Sequence, residues 1–176
     1  MVAASILPVS IYKNKLYFLF GKENSMEDSA KGWSDFGGRC DAGETLYQTA
    51  LREGSEELTG FLGNNKELNH TIKQNGGTFK LKHNDYNVHI FFYPYDENLP
   101  KYYNYNHKFL WDKMDKKILN KTKLFEKIEI QWFSVDDMVK QRKKFRFFYQ
   151  EITDLFIENK QQIDNFIKSK HKNYIK

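Results

Sequence analysis

The chain has 176 residues, a net charge of +5, 16% aromatic residues and a single cysteine. That length suits one domain, residues 1–176, with a core of its own. The lone Cys40 excludes an internal disulfide, and no apolar run reaches the ~18 residues of a membrane helix. Residues 1–97 hold 10 Lys and Arg against 13 Asp and Glu, whereas residues 98–176 hold 18 against 10. An excess of cations in the second half suits an anionic partner. With no secretory leader in view, the expectation is a cytoplasmic protein with no membrane partner.

Ala4 to Ile11 and Leu16 to Gly21 are β-branched and aromatic runs around the polar Tyr12-Lys13-Asn14-Lys15, which predicts a hairpin. Lys22 to Gly32 reads as a loop. Trp33 to Phe36 reads as a short strand ended by Gly37-Gly38. Glu44 to about Thr59 predicts a helix with Leu46, Ala50, Leu51 and Leu58 as its apolar stripe, Glu44 in the first turn and Gly60 as the C′ cap. Thr78 to His83 and Tyr86 to Tyr95 predict a second hairpin around Asn84-Asp85, and the Tyr- and Asn-rich Glu97 to Asn106 reads as a loop. Ile128 to Phe133 is a strand. Ser134, with Asp137 three residues on, predicts a capped helix start. From about 145 to 170 an amphipathic helix carries Phe148, Ile152, Leu155, Phe156, Asn159, Ile163, Phe166 and Ile167 on one side. Strands and helices alternate without a βαβ rhythm, so the fold class is α+β, a mixed sheet flanked by helices.

The most informative stretch runs from Gly38 through Glu44 to Arg52, Glu53, Glu56 and Glu57. Offsets of three and four place the glutamates on one helical face, where like charges repel. A helix with no other task has no reason to crowd them, whereas a site for a hard divalent cation does.

This stretch resembles the Nudix box: Gly38, then Glu44 after five residues, then Arg52-Glu53 after seven, then Glu56-Glu57. Trp33 and Gly37-Gly38 resemble the strand and turn before the box, and Ile130-Gln131-Trp132-Phe133 resembles the late strand of that superfamily. Asp35-Phe36 stands where many members have a residue followed by proline. Gly54 stands where the pattern has an aliphatic residue, and Thr59 where it has the terminal glycine, with Gly60 one place later. A helix ending one residue late would account for the glycine, and a bulky aromatic from a strand would fill the space at Gly54.

The resemblance implies an α/β/α sandwich and a hydrolase that cleaves a diphosphate linkage in a nucleoside diphosphate derivative. It implies Mg²⁺, with Mn²⁺ able to substitute, held by Glu53, Glu56 and Glu57 with the backbone carbonyl of Gly38. Arg52 would brace the loop by pairing with Glu44. The general base falls outside the box, with Glu126 the first candidate and Glu129 and Glu97 behind it. Phe36, Tyr86, Tyr93, Tyr102, Tyr103 and Tyr105 are available to stack on a base, while His89 and His107 read as ordinary core or surface histidines. The basic run Lys140, Arg142, Lys143, Lys144 and Arg146 suits an RNA backbone. The chain also resembles Nudix proteins of large DNA viruses, some of which decap mRNA. Capped or 5′-modified RNA, (d)NTPs and dinucleoside polyphosphates therefore stand as alternative substrates, beside a module that binds nucleotide or RNA without turnover. A homodimer is compatible with the family.

Overall fold

The computed structural model describes residues 2–24, 31–119, 121 and 126–171. Seven strands form one mixed sheet: β1 (Ala3–Tyr12), β2 (Lys15–Glu23), β3 (Trp33–Ser34), β4 (Phe36–Arg39), β5 (Phe79–His83), β6 (Tyr86–Phe92) and β7 (Lys127–Ser134). The order is β3-β2-β1-β6-β5, with β4 paired to β1 and β7 to β2. Both predicted hairpins are present. Lys13 and Asn14 have φ of 48° and 61°, the left-handed pair that matches the twist of a two-residue hairpin, and Asn84 has φ of 52°.

β1 is the spine. It pairs antiparallel with β4 over residues 3–6, antiparallel with β2 over residues 9–12, and parallel with β6 over residues 3–9. Covered on both faces, it reads as a continuous buried run from Ala4 to Ile11. Pro8 falls between the β4 and β2 registers, where the strand changes partner and a missing N–H costs least.

Seven helices complete the described chain: α1 (Leu46–Glu57), α2 (Asn65–Gln74), α3 (Asn98–Lys113), α4 (Lys116–Leu119), α5 (Val135–Lys140), α6 (Tyr149–Glu158) and α7 (Lys160–Lys170). One face of the sheet, with Ala4, Ile6, Leu19, Phe36 and Ile130, packs on α1, α2 and α3 through Ala50, Leu51, Leu68 and Tyr103. The other face, with Leu7, Val9, Phe18, Phe20 and Ile90, packs on α5, α6 and α7 through Met138, Tyr149, Phe156 and Ile163. The expected α+β layering is present.

Several expectations are corrected. Lys22 and Glu23 continue β2 rather than opening a loop; residues 25–30 of that expected loop lie outside the described ones. Gly37-Gly38 do not end a strand but form the middle of β4, pressed so closely on β1 that a Cβ at Gly37 would lie 2.2 Å from the Ser5 Cβ. The 97–106 stretch is helical: Leu99, Tyr103 and His107 recur at four-residue spacing and are all buried, so packing overrides the weak helix preference of Tyr and Asn. Pro100 sits in the first turn, where it does least harm. α2, capped by Asn64 and Glu67, stands where the sequence reading placed no element.

The last helix is shorter than predicted and broken. Residues 142–144 make a 3-10 turn, Phe145 is extended, and α6 begins only at Tyr149. At Asn159 the side-chain amide donates to the Leu155 carbonyl at 2.8 Å, competing with the backbone ladder and separating α6 from α7.

Candidate active site

α1 begins at Leu46, with Thr45 and not Glu44 as its cap. The Thr45 hydroxyl accepts the Gln48 N–H, and the Gln48 side chain accepts the Thr45 N–H. Glu44 is thereby left just outside the helix, on the turn. There it receives the Arg52 guanidinium in a two-point contact, Nε to Oε1 at 2.8 Å and Nη2 to Oε2 at 3.0 Å. The Thr49 hydroxyl also donates to Glu44 at 2.7 Å. Arg52 first, and then Thr49, hold the Glu44 carboxyl down to about 2. Arg52 also donates to the Arg39 carbonyl at 3.2 Å and to Glu53 at 2.7 Å, and lies 3.7 Å from Glu56. The expected pairing of Arg52 with Glu44 is present, and one guanidinium ties the turn to two of the three crowded glutamates.

Glu57 faces the other way, into the sheet, and is 6% exposed. It accepts the Gly37 N–H at 2.8 Å and lies 3.5 Å from the Lys127 ammonium. Burial pushes its carboxyl well up, and Lys127 opposes that shift. Lys127 is itself 1% exposed, yet it stays charged because Glu57 and Glu23 outweigh the cost of burying it. It donates to Glu23 and, at 2.8 Å, to Ser34 Oγ, while Arg146 reaches the same Glu23 oxygen at 2.9 Å. Gly21 clears the way for this lysine, since a Cβ there would lie 2.9 Å from its Cγ and Cδ. The sequence reading missed Glu23, Ser34, Lys127 and Arg146 as a group. The only signal was the alternation Leu19, Gly21, Glu23, which puts Glu23 on the face shared with α1.

Glu126 is half-buried, its carbonyl accepts the Asn24 N–H at 3.0 Å, and its charge acts on Glu57. Glu129 is paired with Lys22 at 3.3 Å, and Glu97 lies exposed at the start of α3. Of the three candidate bases, Glu126 is the one whose charge raises the Glu57 carboxyl.

Behind Gly37 lies Asp35, 1% exposed, accepting the Ser5 hydroxyl and, at 2.5 Å, the Tyr86 hydroxyl. Burial pushes its carboxyl up to about 6, against those two donors. Tyr86 forms part of the wall of a cavity of about 510 Å³, which Ala3, His83, Phe148, Gln150 and Glu151 also line. Its other walls come from the turn between β5 and β6 and from α6, which packs on the face of the sheet opposite α1. Of the expected stacking residues, Tyr86 lines this cavity. Phe36 and Tyr103 are buried in the core, Tyr93 is half-buried, and Tyr102 and Tyr105 stand exposed on α3. His89 and His107 are both core residues.

The basic run divides. Arg142 is bidentate to Asp154 at 2.7 and 2.6 Å, and Arg146 is held by Glu23 with its guanidinium 4.9 Å from the Phe148 ring centre. Lys140, Lys143 and Lys144 remain exposed.

The two departures from the motif have local causes. The space at Gly54 is filled by an aliphatic residue and not by an aromatic one: a Cβ there would lie 2.2 Å from the Ile6 Cδ1. The helix does not run late either. It ends at Glu57, Thr59 itself takes the left-handed C′ position with φ of 49°, and Thr59 N–H and Gly60 N–H bond the Glu56 and Ser55 carbonyls at 2.9 and 3.0 Å.

The donor set suits a hard divalent cation: three carboxylates and the Gly38 backbone, all oxygen. Gly38 is a cradle for one of them, since a Cβ there would stand 2.5 Å from the Glu53 carboxyl carbon. With Arg52 and Lys127 engaging the glutamates, no three acidic, histidine or cysteine side chains among the described residues are gathered as a ligand shell.

A family model described as NUDIX domain matches residues 2–156. The chain is similar in fold to a C. elegans Ap4A hydrolase binary complex, with 17% identity and a TM-score of 0.51 over 93% of this chain and 97% of that one. It is likewise similar to RenU, a Nudix hydrolase from M. smegmatis, with 12% identity and a TM-score of 0.51 over 93% of this chain and 88% of that one. No curated protein matches. With the motif's charged residues gathered on one turn and one helix of the matched span, the chain belongs to the NUDIX domain family.

Proposed function

We propose that the chain is a metal-dependent hydrolase cleaving a diphosphate linkage in a nucleoside diphosphate derivative. The observation that carries this reading is the buried Glu57, fixed by the Gly37 N–H on the same helical turn as Glu53 and Glu56. Glu53, Glu56, Glu57 and the Gly38 carbonyl would hold Mg²⁺, or Mn²⁺ in its place. Such an ion offsets phosphate charge and acidifies water.

Arg52 keeps the turn and α1 in register through Glu44 and the Arg39 carbonyl, so the carboxylates meet the substrate already positioned. Glu126 would take the proton from the attacking water as the new P–O bond forms and the bridging P–O bond breaks. The departing phosphate leaves with the bridging oxygen. The cavity beside Tyr86 and Phe148 is of a size for a nucleoside, and Phe148, 46% exposed, stands on its wall. Capped or 5′-modified RNA is the favoured substrate because the second half of the chain is cationic.

The test is product release with Mg²⁺ across capped RNA, nucleoside triphosphates, ADP-ribose and dinucleoside polyphosphates, in wild type and Glu57→Gln. Turnover of a capped RNA that falls at least ~100-fold in Glu57→Gln supports the reading. Wild-type turnover in that variant overturns the site, and no turnover of any substrate by wild type leaves a binding module instead.

A further inference from the structure

α3 has an inner face that the fold buries and an outer face that stands in solvent. At 100° per residue, Leu99, Tyr103 and His107 point into the protein. The Tyr103 hydroxyl donates to the carbonyls of Glu57 and Lys127 at 2.8 and 3.0 Å. The opposite face carries Tyr102, Tyr105 and Phe109, at 66%, 72% and 60% exposure. Single exposed apolar residues are ordinary, but three aromatics at offsets of three and four make one stripe, which burial does not explain. Lys101, 3.9 Å from Glu97, and Lys108 stand on one flank with Asp112, and Lys113 stands on the other; all five are exposed. From 98 to 121 the chain has six lysines and two aspartates.

We infer that the outer face of α3 binds single-stranded nucleic acid. Rings stack on bases of any sequence, while lysines alongside meet the phosphates. From Tyr102 to Phe109 the helix rises ~10 Å, the length of about three stacked nucleotides. The opposite charge of the strand selects this occupant over a second copy of the chain, whose own α3 would bring the same lysines against these. The inference goes beyond the hydrolase reading and holds with or without turnover, because none of these residues belongs to the carboxylate site.

The test is fluorescence anisotropy of a fluorescein-labelled oligo(U) RNA with the full chain at about 50 and about 200 mM KCl. Wild type binds, more weakly at the higher salt. Tyr102→Ala/Tyr105→Ala/Phe109→Ala weakens binding by roughly tenfold or more with the salt dependence kept. Lys101→Gln/Lys108→Gln/Lys113→Gln lowers the salt dependence itself. Lys140→Gln/Lys143→Gln/Lys144→Gln retains wild-type affinity. If the triple aromatic variant does not fold, Phe109→Ser alone gives the same reading at smaller amplitude. Three results overturn the inference: no binding by wild type at the lower salt, unchanged affinity in the aromatic variants, or a wild-type dimer that light scattering shows becoming a monomer when the stripe is removed.

Discussion

The Cδ1 of Ile6 occupies the space that a side chain at Gly54 would need, 2.2 Å from where its Cβ would stand. The two positions share one volume across the interface between β1 and α1, and Ile6 is fully buried. Gly54→Val therefore overpacks this interface and destabilises by about 1–3 kcal/mol. Ile6→Ala leaves a cavity and costs about 2–5 kcal/mol. Because each change relieves the other, the double variant is less destabilised than the sum of the two, by at least ~1 kcal/mol in a double-mutant cycle. Urea unfolding of the four proteins measures this.

Thr59 holds a left-handed φ of 49° at the C′ position of α1. A β-branched residue pays about 1–2 kcal/mol there that glycine does not. Thr59→Gly is expected to add about 1 kcal/mol of stability, read as a higher urea midpoint at unchanged slope, while Thr59→Val does not.

The buried ammonium of Lys127 compensates Glu23 and Glu57 together. Lys127→Met leaves both carboxylates buried without it and is expected to cost about 3–5 kcal/mol. Adding Glu23→Gln to that variant recovers part of the loss. Chemical denaturation at neutral pH reads both.

Two buried groups pull the pH dependence of stability in opposite directions. His89, 3% exposed, is pushed down from 6.5 to about 4 by burial and then by Lys80; Thr78 and Tyr47 are its other neighbours. The unfolded chain binds its proton first, so the His89 contribution is whole above pH 6.5 and is lost as the pH falls toward 4. Asp35, pushed up from 3.8 to about 6, behaves oppositely: its contribution is whole below 3.8 and is lost as the pH rises through 6. The stability difference between wild type and His89→Gln should shrink by about 2–3 kcal/mol between pH 7 and pH 4. The difference between wild type and Asp35→Asn should shrink by a similar amount between pH 4 and pH 7. Midpoints measured across that range for the three proteins check both signs.

What was legible in the sequence is what neighbours in sequence decide. The turn at Lys13-Asn14, the Ser134 cap with its Asp137 partner, and the Arg52 contact with Glu44 all lie within a few residues of one another. The spacing of Glu53, Glu56 and Glu57 is likewise a property of one helix. Lys127 was not legible, because its partner Glu23 is 104 residues away and nothing near either residue announces the other. Ile6 filling the space at Gly54 is the same kind of fact. α3 failed for another reason: its Tyr and Asn residues favour a loop locally, and the Tyr103 bond to the end of α1 is what repays the helix.

β1 joins β4, β2 and β6, and that arrangement orders events during synthesis. It comes first among the strands, yet its parallel partner β6 begins only at Tyr86. At ~5–20 residues per second, a ribosome leaves one edge of that apolar strand open for roughly 4–16 s before its neighbour exists. Parallel pairing across such a separation is also slow to form. The stretch from Ala4 to Ile11 is therefore the segment a chaperone would meet on the nascent chain, and the segment from which aggregation would start if β6 were delayed.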